Sequence, residues 1–144
     1  MSREYPVRPL VGVGVIVLRG EEVLLIRRAR DPGRGTWALP GGAQRLGETV
    51  EQAARRELRE ETGLEVGDLR LAGYIDAIHP DPQGRPRFHY TILDLAASWR
   101  GGEPTPGDDA SEAAFVRRDL LAGMGVGDET LRMVALAQGL VGEA

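Results

Sequence analysis

Three glutamates sit where an ordinary surface helix would not put them. Residues Thr49–Thr62 read TVEQAARRELREET. At about 100° per residue, Val50, Ala53, Ala54 and Leu58 make one apolar stripe. Glu57 and Glu61, one helical turn apart, fall inside that stripe, and Glu60 lies at its edge. Clustered carboxylates beside a core repel one another and lose hydration unless positive charge joins them. A divalent cation answers both problems. Hard oxygen ligands suit Mg2+, with Mn2+ as its substitute. Such a Mg2+ site keeps several waters and takes further ligands from substrate phosphates. The chemistry implied is metal-assisted attack on a phosphoryl group. Arg56, four residues before Glu60, is placed to hold it. The glycines before the helix allow a Gly41 or Gly42 carbonyl to reach the same cation. The competing reading pairs the acids with Arg55, Arg56 and Arg59. Those arginines lie mostly on the opposite side of the helix, so pairing within it does not account for Glu57 and Glu61.

The elements around the acids follow from local pattern. Thr49 with Gln52 fits a capping box, and Gly63 is a natural helix stop. Val11–Leu18 is β-branched and reads as a buried strand, followed by a turn at Arg19–Glu21 and a second strand over Glu22–Arg28. Residues Asp31–Thr36 form a loop by their Pro and Gly content, and Gly41 to Glu48 reads as a further loop. Leu69–Ile78 and Arg87–Trp99 read as long strands joined by the connection His79–Arg85. Gly101–Asp109 is a loop and Ala113–Val116 a short strand. Arg117–Ala122 and Thr130–Leu140 read as helices. The whole, residues 1–144, is expected to be a single α/β domain with a mixed β-sheet.

Composition narrows the chemistry. A chain of 144 residues with 28% charged content suits one compact soluble domain. A net charge of −4 argues against binding nucleic-acid polymers by charge. All 18 basic residues are Arg, so lysine nucleophiles and Schiff bases are excluded. There is no Cys, which excludes disulfides, thiol catalysis and thiolate zinc sites. The opening MSREYPVRPL carries no signal-peptide core, and the run Val11–Leu18 is too short to span a bilayer. A cytoplasmic protein without a membrane partner is expected.

The stretch Gly42–Leu64 resembles the Nudix box, G-x5-E-x7-R-E-U-x-E-E-x-G-U with U aliphatic. Gly42, Glu48, Arg56, Glu57, Leu58, Glu60, Glu61, Gly63 and Leu64 fill its nine fixed positions over 23 residues. The lead-in Trp37-x-Leu39-Pro40-Gly41-Gly42 is also similar to the family's approach to the box. The resemblance implies an α/β/α sandwich with a loop-helix-loop catalytic motif. It also implies Mg2+-dependent hydrolysis of a nucleoside diphosphate linked to another group. By position it makes Glu57 and Glu61 the chief metal ligands, Glu60 a ligand or base, Arg56 an orienting residue and Glu48 a support. A base from elsewhere in the chain is expected in a late loop, where Asp108, Asp109 and Glu112 stand.

Substrate contacts are expected from Arg28, which ends a strand just before the catalytic loop and offers a planar fork to phosphate. Trp37 and Tyr74 are candidate stacking surfaces for a base, with Phe88 and Tyr90 beside them. Pro80 lies sixteen residues beyond Leu64, and a proline near that distance resembles a mark of ADP-ribose pyrophosphatases. The expected substrate is therefore ADP-ribose or a related nucleotide sugar. Two alternatives stand beside it. One is a housecleaning hydrolase of (oxidised) nucleoside triphosphates. The other is a catalytically silent domain that senses a nucleotide, against which every glutamate of the box is present. A homodimer is left open.

Overall fold

The computed structural model describes residues 2–141. Its centre is β1 (Leu10–Arg19), whose apolar residues alternate between two cores. Val13, Val15 and Val17 face one side, while Ile16 and Leu18 face the other. β2 (Glu22–Arg28) returns beside β1 through the tight turn at Gly20 and Glu21, where Gly20 takes φ 56°. β6 (Pro86–Ser98) runs parallel to β1 on its other flank, and β5 (Arg70–Pro80) closes that edge antiparallel to β6. β7 (Ala110–Arg117) pairs with β2. Two short strands, β3 (Trp37–Ala38) and β4 (Gly41–Ala43), attach to β2 and β1 respectively. The result is a seven-stranded mixed sheet.

One helix covers each face. α1 (Val50–Thr62) buries Ala53, Ala54 and Leu58 against the valine side of β1. Full burial of a side chain such as Leu58 contributes about 1.5–3 kcal/mol. Thr49 accepts from the Gln52 amide at 3.1 Å while the Gln52 side chain accepts from the Thr49 amide at 2.9 Å. Gly63 ends the helix in the left-handed region at φ 73°. α2 (Asp128–Val141) packs Met133, Val134 and Ala137 on the opposite face. The expected α/β/α sandwich with a mixed sheet is the fold observed.

Several boundaries differ from the sequence pattern. The segment from Gly41 to Glu48 is not loop throughout, because Gly41–Ala43 pairs with Gly12–Gly14 of β1. His79 and Pro80 belong to β5, so the connection shrinks to the turn at 81–85, held by Asp81 accepting from the amides of Gln83 and Arg85. The strand expected at Ala113–Val116 is longer and takes Glu112 out of the loop. Arg117–Ala122 forms no α-helix. It begins as the end of β7 and continues as short 3-10 turns at Arg118–Leu120 and Ala122–Met124, the latter stopped by Gly125 at φ 82°.

Candidate active site

α1 presents its acids in the order its helical pattern dictates. Glu61 is 3% exposed, the Glu57 side chain 13% and the Glu60 side chain 32%. Arg56 ties the group together. Its Nε and Nη2 donate to the two oxygens of Glu48 at 2.5 and 2.9 Å. Its Nη1 donates to Glu57 at 2.7 Å and to Glu60 at 3.0 Å, and Nη2 also reaches the Ala43 carbonyl at 3.0 Å. The expectation that pairing within the helix does not account for Glu57 and Glu61 is therefore corrected for Glu57, which Arg56 reaches from the adjacent position, while the hydrogen bond to Glu61 comes from the Gly41 amide. Among the described residues no three Asp, Glu or His side chains converge into a closed metal cage.

The electrostatics separate these carboxylates. The hydrogen bonds from Arg56 hold Glu48 well below the usual range, at about 2. Burial pushes Glu57 upward against the pull of Arg56. Burial pushes Glu61 up to about 8, reinforced by Glu57 and Asp109 and opposed by Arg28 and by the Gly41 amide. That amide donates to Glu61 Oε1 at 2.7 Å. Gly42 packs on Glu57 so closely that a Cβ there would stand 2.5 Å from its carboxyl carbon. A buried Glu61 and a half-buried Glu57, with backbone drawn tightly over them, fit a hard divalent cation.

The opposite wall comes from the end of β2 and the approach to β7. Gly107 and Thr105 donate their amides to the carbonyls of Glu61 and Thr62, so the loop before β7 docks on the last turn of α1. This docking brings Asp109 within electrostatic range of Glu61. Arg30 pairs with Asp109 at 2.8 Å, and the Ala29 amide donates to the Asp109 carbonyl. Arg28 donates to the Pro32 carbonyl at 2.6 Å and acts on Glu61. Successive residues of β2 face opposite ways. Arg27 accordingly points elsewhere and pairs with Glu112 at 3.0 Å. Glu112 is thus a strand residue in a half-exposed ion pair, not the loop residue expected.

Other expected contacts are dispersed. Trp37 packs half-buried against the core under α2. Tyr74 is 61% exposed on the edge strand β5, and Pro80 ends that strand opposite Pro86. Sequence reasoning missed Arg30 as the partner of Asp109. No local pattern signals it, because the pair joins the exit of β2 to the entry of β7.

A family model described as NUDIX domain matches residues 8–132. The chain belongs to the Nudix family. Within that family it is 43% identical over 107 residues to an ADP-ribose pyrophosphatase of Methanocaldococcus jannaschii, covering 74% of this chain. It spans 61% of that relative's length. It is also 52% identical over 63 residues to a putative 8-oxo-dGTP diphosphatase 2 of Mycobacterium tuberculosis, covering 43% of this chain and 44% of that protein. Among solved Nudix structures, the MutT NUDIX hydrolase of Burkholderia pseudomallei superposes with a TM-score of 0.76 at 30% identity. That match covers 90% of this chain and 98% of the other.

Proposed function

We propose that this Nudix domain hydrolyses the diphosphate bond of a nucleoside diphosphate linked to a second moiety. The substrate is ADP-ribose or a related nucleotide sugar, and the products are a mononucleotide and a phosphorylated fragment. The observation that carries this reading is the cleft itself. Buried Glu61, with half-buried Glu57 beside it on α1, lies within electrostatic range of Arg28 and Asp109. The 43% identity to a relative named ADP-ribose pyrophosphatase supports the substrate class.

Glu57 and Glu61, with Glu60 and the Gly42 carbonyl, would hold Mg2+ or Mn2+. When bound, the cation supplies charge neutralisation for the phosphoryl oxygens. Arg56 keeps Glu57 and Glu60 oriented through its shared Nη1. Arg28 offers its fork to a substrate phosphate. Asp109 or Glu60 accepts the proton from the attacking water, and position favours Asp109 over Glu112 because Asp109 lies within electrostatic range of Glu61 while Glu112 is paired with Arg27. The reading places the reaction on a small cytoplasmic metabolite, with no nucleic-acid polymer as substrate.

The test is a panel of initial rates with Mg2+ and with Mn2+ on ADP-ribose, other nucleotide sugars and 8-oxo-dGTP. ADP-ribose should give AMP and ribose 5-phosphate. Glu57→Gln and Glu61→Gln should each abolish turnover while the thermal unfolding transition stays cooperative, and a chelator should do the same reversibly. No turnover of any diphosphate would refute the proposal. Faster release of pyrophosphate from 8-oxo-dGTP would move the protein to the triphosphate class, which the local match to the 8-oxo-dGTP diphosphatase motivates.

A further inference from the structure

The residues before β1 are tied to the turn end of the β5–β6 hairpin by a specific set of bonds. Tyr5 donates its hydroxyl to Asp81 Oδ2 at 2.9 Å and its amide to the Arg87 carbonyl at 2.7 Å. Arg87 reaches back to Glu4 at 2.6 Å, and the Arg85 guanidinium lies 5.1 Å from the centre of the Tyr5 ring. Asp81 is 8% exposed and also accepts from the amides of Gln83 and Arg85, so the anchor under Tyr5 is itself fixed. Tyr5 is held at φ 50°, in the left-handed region that a bulky residue avoids. Such a conformation persists only where its surroundings over-determine it, and ligand clamps are one place where proteins keep it.

This latch decides where Arg3 stands. Arg3 precedes Tyr5 by two residues, so its Cα lies no more than about 7 Å from that of the anchored Tyr5. Arg3 is exposed, and it lies within electrostatic range of Glu57 on α1. The hairpin that holds the arm is near the cleft as well, because Arg87 lies within electrostatic range of Asp31, just beyond the end of β2. The arm and the hairpin therefore border the cleft that contains Glu57. Nothing in the helix calls for a further cation there. The ion pairs of Glu57 and Glu60 are made by Arg56 and Arg45, and Arg3 has none among the described residues. A spare guanidinium beside acids that would take Mg2+ repels that metal. Its charge turns favourable once a polyanion lies between them.

We propose that Arg3, carried by the latched arm, binds the diphosphate of the substrate as a second cation beside Arg28. The inference rests on the nucleotide reading of the cleft. The planar fork of an arginine suits two phosphate oxygens at once. Tyr5 is then a positioning residue, whose bond to Asp81 sets where the arm lies.

Binding measured without chemistry tests this. ADP is titrated calorimetrically into the Mg2+-loaded protein and into Arg3→Ala, Arg3→Lys, Tyr5→Phe and the double variant of Arg3→Ala with Tyr5→Phe. Arg3→Ala should weaken ADP by about tenfold or more, the usual effect of losing a charge-assisted contact. Arg3→Lys should recover part of that loss, since it keeps the charge and loses the fork. Tyr5→Phe should weaken ADP, and adding it to Arg3→Ala should cost nothing more, because its effect runs through Arg3. Mg2+ titrated alone should bind Arg3→Ala no more weakly than the unaltered protein, and the thermal unfolding midpoint should be unchanged. An unchanged ADP affinity in Arg3→Ala would overturn the proposal. So would ADP that fails to bind the unaltered protein, a loss of Mg2+ affinity or of unfolding midpoint that matches the loss of ADP, or losses from Tyr5→Phe and Arg3→Ala that simply add. If no diphosphate is hydrolysed yet ADP affinity still follows Arg3, the catalytic reading falls and this one stands. If hydrolysis is found and Arg3→Ala leaves ADP affinity intact, the reverse holds.

Discussion

Replacing Asp94 by Asn removes one ionisable group from the interior with little change in shape, and its effect on stability has a definite pH signature. Burial lifts the Asp94 carboxyl from its ordinary 3.8 to about 6. The folded state therefore holds this proton more tightly than the unfolded state. Stability contributed by the protonated form is fully present below 3.8 and is lost as pH rises to about 6, after which it stays lower. At about 1.4 kcal/mol per pH unit, a displacement of about two units is worth about 3 kcal/mol. Asp94→Asn has no such step. Measured against the natural chain, the variant should gain about 3 kcal/mol between about pH 4 and about pH 7. Glu61, raised to about 8, adds its own slope to both proteins, and the subtraction cancels it. The assay is urea unfolding of both proteins over this range in metal-free buffer, read by far-UV circular dichroism. A stability difference that stays constant with pH would refute the reasoning, since it would mean that Asp94 finds a partner for its charge in the folded state.

Two further outcomes follow from the local geometry. Gly42→Ala puts a Cβ 2.5 Å from the Glu57 carboxyl carbon, and the hydrogen bond from Arg56 limits how far Glu57 can move aside. Displacements near 1 Å at such a site cost about 100-fold in turnover, so steady-state rates should fall by that order while the unfolding midpoint stays close to that of the natural chain. Thr49→Ala removes the side-chain half of the capping box and should cost about 1 kcal/mol in denaturant unfolding, with the box chemistry intact.

What could be read in advance tracks how local its cause is. α1 carries its own signals: an apolar stripe, a cap at Thr49 and a left-handed stop at Gly63. The inward placement of Glu57 and Glu61 follows from that periodicity alone. β1 is marked by its β-branched run and is buried from Gly12 to Leu18. By contrast, Gly41–Ala43 has no residue that favours a strand, and its conformation is decided by pairing with β1. The wall formed by Arg28, Arg30 and Asp109 depends on a loop docking on the end of α1, a contact between segments far apart in the chain. Glu112 is only three residues past Asp109, yet the register of β7 against β2 turns it toward Arg27. Asp94 left a trace that could have been followed, a single carboxylate within the apolar run Ile92–Ala97. Its burial between glycines is a property of three strands together.

The docking of Thr105 and Gly107 on the last carbonyls of α1 constrains how this site can diversify. Those two amides anchor the loop to the helix whatever side chains it carries, Gly107 lying so close that a Cβ would stand 2.6 Å from the Glu60 carbonyl. The stretch from Asp108 to the start of β7 is thus a short graft held at both ends, by the helix on one side and by β2 on the other. Exchanging it between relatives would swap the acid within electrostatic range of Glu61 while leaving the box untouched. Loop chimaeras built at Gly107 and Ala110 are consequently a natural way to retune the chemistry of this domain without rebuilding the helix that carries Glu57 and Glu61.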